Sequence, residues 1–283
     1  MNMVRIITDG TSDLSVQRGL ELNVHVMPMR VFFGQDSFLD GVDITREEFF
    51  ARLTSGDVLP TTSQLNPEDF LEVFQKYVDQ GDEIVGIFLS TELSGTCQSA
   101  CIARDMVEGG EIHIVDSRTV TFALALLVEE AARMRDQGLS AAQIAAEVEK
   151  LAQRTRLLAI VDTLTYLKKG GRISAATAAV GGLLGIKPIV GVDSRGTVEA
   201  LGKARSMASG LEWIARQIGQ APADPARPVA YGHSNAPERV PLCMEALKEV
   251  LPQDLPPVVG SIGAVIGTHV GPGAVGVAYI ASE

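Results

Sequence analysis

The chain has 283 residues, which is enough for two domains and a sizeable hydrophobic core. With 46% apolar and 21% charged residues, its composition is that of an ordinary globular protein. The formal net charge of −11 argues against nucleic acid or an anionic membrane surface as the main partner, because both attract clustered positive charge.

The start of the chain and its cysteines favour a cytoplasmic protein. A strand-like run already begins at Val4 with no signal peptide before it, so we expect the mature chain to begin at Met1. Three cysteines cannot form a framework of paired disulfides. The longest weakly polar stretch, residues 173–192, is broken by glycines and Pro188, whereas a membrane span needs about twenty apolar residues in one helix. We therefore expect no stable membrane insertion.

The first half of the chain alternates strand-like and helix-like patterns. Apolar runs typical of strands occur at residues 4–8, 83–89 and 111–117. Helical patterns follow at residues 94–107, 119–138 and 140–155. Strands that alternate with helices at this spacing predict a parallel sheet with crossover helices.

Residues 24–45 interrupt this alternation. The β-branched and aromatic run at 24–33 predicts one strand that enters a hairpin at Gly34. Helical spacing at 44–56 then predicts a helix that ends at the glycine. A loop follows at 60–66, before an amphipathic helix that begins at about Pro67 with Asn66 as its N-cap.

The pattern changes from about residue 156. A strand at 157–164 leads into the basic segment YLKKGGRIS, an Ala/Gly-rich helix and a hairpin over residues 193–196. A helix, a strand at 228–234, another helix and a final strand pair complete the chain. We therefore predict an α/β fold with two domains. Residues 1–155 would form a mainly parallel sheet flanked by helices, and residues 156–283 an α/β domain with more antiparallel pairing.

Three segments rich in short polar side chains lie at the ends of predicted strands or beside them. They are Thr11–Ser12, Thr61–Ser63 and Ser94–Thr96. For any one of them, helix capping without a ligand is the commoner explanation. Ligands of an open α/β sheet, however, meet the loops that follow its strands, so the three could converge on one crevice. Hydroxyls and helix N-terminal N–H groups would favour a carboxylate or phosphate there.

His269, within the glycine-rich segment IGTHVG, is the strongest histidine candidate for chemistry, although a loop histidine bonded to backbone is an equal alternative. Ser94 and His269 could form a nucleophile and base, but the G-x-S-x-G elbow is absent and no orienting acid is evident. GPGAVG at 271–276 matches the dinucleotide fingerprint. A strand rather than a helix is predicted after it, so we discount the match.

Other motifs are weaker. DGTSD at 9–13 resembles an aspartyl phosphotransferase loop, but Thr11 stands where a second carboxylate is required, so we favour a turn with an exposed acidic residue. Cys97 and Cys101 are four residues apart, yet no other Cys/His pair completes a tetrahedral metal site, so we expect core residues and no metal.

A run of charged residues such as that in YLKKGGRIS usually forms a solvated turn. In an acidic chain it could instead face a phosphate or an acidic partner. The cationic residues concerned are Lys168, Lys169 and Arg172, with Lys203 and Arg205 further along the chain.

The order of these motifs is specific. DGTSDL, PTTSQ, LSGTCQSA, IVDS, YLKKGGRIS, LLGIKPI and IGTHVGPGAVG resemble, essentially from end to end, the DegV family and its bacterial fatty acid-binding proteins of FakB type. The resemblance implies two α/β domains with a long-chain fatty acid in a tunnel between them. It also implies a lipid-binding subunit that is not catalytic alone and carries no cofactor. Its partner would be an ATP-dependent fatty acid kinase subunit (FakA type), which forms an acyl phosphate for phospholipid synthesis.

Residue by residue, the resemblance implies a carboxylate held by Thr61, Thr62, Ser63, Ser94, Gly95 and His269. Arg172 would lie near the phosphoryl-transfer position, and Lys203 and Arg205 would belong to the docking surface for the kinase. The small residues at 173–185 would form a lid or tunnel wall, or simply a tightly packed helix.

Two residues depart from the family pattern. Gly10 stands where a serine is common, which puts any ligand contact by Asp9 or Thr11 in doubt. Cys97 stands where a tyrosine is frequent, which would alter the packing near the head group or the tunnel wall. Two other functions remain open: an acyl hydrolase that uses Ser94 and His269, and a carrier or sensor of another small carboxylate or phosphate.

Overall fold

The computed structural model describes residues 3–56, 58–173 and 185–283. The strands are β1 (Val4–Asp9), β2 (Val24–Met27), β3 (Arg30–Phe33), β4 (Asp36–Leu39), β5 (Thr61–Ser63), β6 (Glu83–Phe88), β7 (Ile112–Asp116), β8 (Thr155–Ile160), β9 (Lys187–Val192), β10 (Val198–Ala204), β11 (Ala230–His233), β12 (Val258–Ser261) and β13 (Val275–Ile280). The helices are α1 (Val16–Glu21), α2 (Arg46–Ser55), α3 (Pro67–Val78), α4 (Thr96–Met106), α5 (Phe122–Asp136), α6 (Ala141–Arg154), α7 (Thr165–Lys169), α8 (Met207–Gln220), α9 (Arg239–Leu247) and α10 (Ala264–Val270). The predicted lid or wall at 173–185 falls, apart from its two end residues, outside the described residues.

The first sheet has four parallel strands in the order β2-β1-β6-β7. Because successive side chains of a strand face opposite sides, Ile6 and Val85 pack with α5 and α6, while Ile7 and Ile84 pack with α3 and α4. Both faces are thus covered, which is why these strands read as continuous apolar runs. The predicted parallel sheet flanked by helices is confirmed.

Local capping chemistry sets the ends of the nearby helices. Helix α2 begins after Thr45, whose hydroxyl accepts from the Glu48 N–H, and it ends before Gly56. Helix α3 begins at Pro67, and the Asn66 N–H donates to the Asp69 carboxylate at 2.8 Å. Both helices lie where the sequence predicts them.

A small antiparallel sheet, β4-β3-β5, corrects two predictions. Residues 24–33 are not one strand. They divide at Pro28, which has no N–H to donate, so β2 pairs with β1 in the parallel sheet while β3 pairs in the small one. Residues 61–63, predicted as loop, form strand β5 and pair with β3 from Arg30 to Phe32.

The third sheet has six strands in the order β10-β9-β8-β13-β11-β12. All its neighbours are antiparallel except β11 and β12, so the predicted antiparallel character is confirmed. The hairpin over residues 193–196 is also confirmed, with the Gly196 N–H bonded to the Asp193 carbonyl at 3.0 Å. The last two strands are not a pair, because β11 lies between them.

Every strand of this six-stranded sheet comes from residues 155–280, and the strands of the other two sheets come from residues before it. The division of the chain into domains 1–155 and 156–283 stays a prediction. Within the described ranges, no helix is both long and apolar enough to cross a membrane.

Candidate ligand-binding cavity

A cavity of about 260 Å³ lies between the loops that follow β1 and β6, helix α10 and one face of the six-stranded sheet. Its lining is mostly apolar, and all three predicted polar segments reach it. The predicted residues that line it are Thr11, Thr62, Ser63, Ser94, Gly95, Arg172 and His269. The expected convergence of three polar segments therefore occurs in the folded chain.

Three predicted residues do not line this cavity. Thr61 precedes Thr62 in β5 but is exposed to solvent. Lys203, near the end of β10, and Arg205, just after it, are exposed as well. A role for these two cations in docking a partner stays a prediction.

His269 and Thr62 form the central polar pair. The His269 Nε2 lies 3.0 Å from the Thr62 Oγ1, although the two residues are 207 positions apart. The other ring nitrogen, Nδ1, is buried against Gly170 and has no hydrogen-bond partner among the described residues. A side chain at Gly170 would overlap the imidazole ring, so glycine is required there for packing.

The environment keeps the His269 ring neutral at physiological pH. Burial first, and then the positive charge of Arg172, lower the pKa of His269 to about 4. A neutral imidazole has one N–H donor and one lone-pair acceptor. It can therefore donate one hydrogen bond without adding a positive charge to the cavity.

His269 belongs to the last turn of helix α10, not to a loop as predicted. Two carboxylates far away in sequence hold the start of this helix. Asp13 accepts from the Gly263 N–H at 2.8 Å, and Asp40 accepts from the Val265 N–H at 2.9 Å. Both were missed from the sequence, because their partners lie 250 and 225 positions further along the chain.

Ser94 lies at the start of helix α4. Its hydroxyl is 3.0 Å from the Thr96 Oγ1 and accepts from the Thr96 N–H at 3.3 Å. Next to it, Gly95 is in close contact with the Gln64 amide, which would overlap any side chain at position 95. Gln64 also lines the cavity and donates to Ser99 at 3.2 Å. Only its place in the motif PTTSQ could have indicated this residue.

Arg172 connects two segments of the cavity wall. Its Nε donates to the Leu93 carbonyl at 3.3 Å, and its Nη1 donates to the Gly170 carbonyl at 2.6 Å. The guanidinium thus joins the loop before α4 to the turn that packs on His269. It also places a positive charge at the polar part of the cavity.

The opening motif DGTSD differs from its prediction as a turn with an exposed acidic residue. Asp9 is fully buried and accepts from the Thr11 N–H, the Thr11 hydroxyl and the Leu89 N–H. Asp13 is buried as well. Asp9 therefore fixes the loop after β1, and Thr11 is the residue of this motif that reaches the cavity. Gly10 leaves room for a Cβ at ordinary contact distance from Met29.

Cys97 lies in the apolar core beside α3 and does not line the cavity. Its burial raises the pKa of the thiol well above its ordinary value, which suits an inert core residue. Cys97 and Cys101 are free thiols, and the described residues contain no cluster of three or more His, Cys, Asp or Glu that could hold a metal ion.

A family model described as DegV, a family of uncharacterised proteins, matches residues 3–282. The chain belongs to the DegV family. A DegV domain-containing protein of Caldanaerobacter subterraneus subsp. tengcongensis is 35% identical over 281 residues, which cover 99% of each chain. The family predicted from the motifs is therefore confirmed.

Solved DegV structures have the same fold. A DegV family protein from Thermus thermophilus, described as binding fatty acid, superposes with a TM-score of 0.88 at 32% identity over 98% of this chain and 99% of that one. A stearic acid-binding protein from Eubacterium ventriosum superposes with a TM-score of 0.88 at 29% identity, over 99% and 98% of the two chains. The predicted α/β fold is confirmed by these superpositions.

Proposed function

We propose that this DegV protein binds one long-chain fatty acid in the cavity and presents its carboxylate to a separate ATP-dependent kinase subunit, which makes the acyl phosphate. The observation that carries the first half of this proposal is a mostly apolar cavity whose polar groups gather around the Thr62–His269 pair. Fatty acid binding by the structurally similar DegV family protein of Thermus thermophilus, and stearic acid binding by the similar protein of Eubacterium ventriosum, support it.

The polar groups suit a carboxylate. An ionised carboxylate that is buried without partners costs several kcal/mol, so donors must replace its water. Hydroxyls of Thr62, Ser63 and Ser94 provide such donors, with Arg172 as the nearby positive charge. Because most of these groups are neutral, the carboxylate remains available as a nucleophile.

The tautomer of His269 follows from its partners. Nδ1 is buried against Gly170, so a proton on Nδ1 would leave a buried N–H without an acceptor. With the proton on Nε2, the ring donates to the Thr62 Oγ1. The Thr62 hydroxyl proton is then free to donate to the ligand, and His269 acts by orienting that hydroxyl.

The apolar part of the cavity would bind the acyl chain. Each methylene that leaves water contributes roughly 0.8 kcal/mol, independent of any directional contact. The polar groups would therefore fix the orientation of the fatty acid, with its carboxylate beside them, while the acyl chain supplies most of the binding affinity.

The kinase step rests on the resemblance to FakB-type proteins and on what the sequence lacks. No P-loop of the form G-x-x-x-x-G-K-[ST] occurs in the chain, which favours an ATP site on another subunit. Arg172 would stabilise the phosphoryl group as it meets the carboxylate, since guanidinium groups pair well with phosphate. Lys203 and Arg205 would contact the kinase.

A hydrolase fits the contacts less well. His269 pairs with Thr62 instead of Ser94, whose hydroxyl is bonded to Thr96. Among the described residues, no carboxylate accepts from the His269 Nδ1, so the orienting acid of a triad is missing.

Thr62 and Thr61 provide a matched test, because they are neighbours and only Thr62 lines the cavity. Thr62→Val removes the hydroxyl and keeps the shape. We expect it to weaken fatty acid binding about tenfold to a hundredfold, the value of a hydrogen bond to a charged group, while Thr61→Val leaves binding unchanged. Affinity is measured by titration of delipidated protein with a fatty acid. Equal affinities for both variants would contradict the assigned head-group site.

The kinase step needs a separate assay. Protein loaded with fatty acid is mixed with ATP and a FakA-type kinase subunit, and acyl phosphate is followed by trapping with hydroxylamine. Product should require both proteins. Product from this chain and ATP alone would overturn the view that it is a non-catalytic subunit.

A further inference from the structure

A row of residues, all glycine or alanine except Val190, crosses the inner face of the six-stranded sheet. Strand pairing places these residues side by side in the order Gly260, Gly232, Gly276, Ala159, Val190 and Ala200. Four consecutive members, from Gly232 to Val190, line the cavity. The cavity floor is therefore a trough that runs across the strands. Each strand that it crosses adds about 5 Å to its length.

The two ends of this trough differ. At the β9–β10 end, Ile173 bridges to Val198, so the preceding Arg172 and its positive charge lie there. At the β11 end, the aromatic ring of Phe122 covers Gly232 so closely that any side chain at 232 would overlap it. Arg172 and Phe122 thus stand at opposite ends of the floor.

Phe122 also borders a second space. A surface groove between α1, α5 and β12 is lined by Phe122 together with Ala125, Val258 and Gly260. Gly260 is the next member of the same row beyond Gly232. The Phe122 side chain, which is 3% exposed, is therefore a wall shared by the cavity and the groove.

This wall is held rigidly. Phe122 is the first residue of α5, and Thr121 before it has a φ of 57°, in the left-handed region that a β-branched residue seldom adopts. The Thr121 N–H donates to the Thr11 carbonyl at 2.8 Å, and its hydroxyl donates to Asp13 at 2.5 Å. These two bonds fix the backbone from which the ring projects.

We propose that Phe122 is the residue that limits the length of the bound acyl chain, because its ring closes the trough between Gly232 and Gly260. The inference rests on the proposed fatty acid binding. The carboxyl end of the chain lies beside Arg172 and the Thr62–His269 pair, and the methyl end stops at the ring. A smaller residue at 122 opens the trough by about one strand spacing of 5 Å, toward the groove.

The test uses delipidated protein and an equimolar mixture of saturated fatty acids of increasing length, with the bound acids identified by mass spectrometry. The wild type should show a sharp upper limit of chain length. Phe122→Ala and Phe122→Leu should each extend this limit, by up to about four carbons, the number that one strand spacing accommodates. Phe122→Leu keeps an apolar side chain, so it still tests the length limit if the alanine variant does not fold.

Phe74→Leu is the control, since Phe74 is also buried but belongs to α3 and does not line the cavity. It should lower stability without changing the length limit. A limit that is the same in the wild type and in folded Phe122 variants overturns the inference and leaves the proposed function intact. A wild type without an upper limit also overturns it. A wild type that takes up no fatty acid of any length overturns the proposed function and this inference together.

Discussion

The two faces of the six-stranded sheet are built from alternate residues of the same strands, yet one face packs in a core and the other lines the cavity. On the outer face, Ile160, Val277 and Tyr279 are at most 1% exposed and pack under α8 and α9. On the inner face, their neighbours Ala159 and Gly276 leave the cavity open. At these positions of β8 and β13, small inner and large outer side chains separate a packed core from a binding site.

The inner face contributes less to the stability of the fold than the outer face does. An unfilled apolar cavity loses dispersion contacts, at a cost that grows with its volume. The outer face and its two helices offset that loss by burying large side chains. A bound acyl chain would restore the missing contacts on the inner face, so the ligand would act as a removable part of the core.

The largest effect on folding should come from the outer face. Ile160 is fully buried and packs closely against α8 at Gly210. Ile160→Ala should lower the free energy of unfolding by about 2–5 kcal/mol, because helices α8 and α9 cannot collapse fully onto the vacated space. Urea unfolding of the delipidated protein measures this. The chain-length preference should stay that of the wild type, and a changed preference would contradict the separation of the two faces.

The inner side also holds buried titratable groups with opposite pH effects. His269 resists protonation until about pH 4, whereas in the unfolded chain it titrates near its ordinary 6.5, so its stabilising contribution is lost as the pH falls through this window. Burial raises the pKa of Asp13 to about 7. Its contribution is present below the ordinary 3.8 and is lost as the pH rises through about 7.

Two variants separate these contributions. His269→Gln keeps a group that can bond Thr62 but cannot titrate, so on acidification the wild type should lose stability relative to it, by up to about 1.4 kcal/mol per pH unit. Asp13→Asn should give the opposite trend, with the wild type gaining relative to the variant. Urea unfolding of delipidated protein at several pH values measures both. Parallel curves for the wild type and His269→Gln would show that the His269 pKa is not lowered.

Much of the fold follows from local sequence. The apolar runs around Ile6 and Val85, the start of α3 at Asn66 and the turn over residues 193–196 all depend on neighbouring residues, and all were predictable. The convergence of Thr11 and Ser94, which follow β1 and β6, was predictable from a general rule for the ends of parallel strands.

The remaining features depend on distant partners. Residues 61–63 contain no apolar run and become a strand only because β3 pairs with them. The glycines around His269 favour a loop, and Asp13 and Asp40 hold the start of the helix in its place. Likewise, the place of Gly232 in the cavity floor could not be predicted from local sequence. Strand register sets it in line with Gly276 and Ala159, and Phe122 packs over it.

The smallest effect on folding, and the sharpest on binding, should come from Ala159. This residue is partly exposed to the cavity and lies in the trough beside Gly276. Ala159→Val adds two methyl groups to empty space, so the free energy of unfolding should change by less than about 1 kcal/mol. The added volume should displace part of the acyl chain. Affinity for a long-chain fatty acid should fall about fourfold for each methylene excluded, and the preferred length should shorten.

Ile160→Val is the matched control for this prediction, because it changes the size of an apolar side chain, by one methylene, one residue away on the other face. It should cost about 0.5–1.5 kcal/mol of stability and leave fatty acid affinity unchanged. Calorimetric titration with one long and one shorter fatty acid distinguishes the two variants. If Ala159→Val binds both acids as the wild type does, the chain does not lie along this row. The trough would then be a packing defect of the sheet, and the acyl chain would have to occupy another part of the cavity.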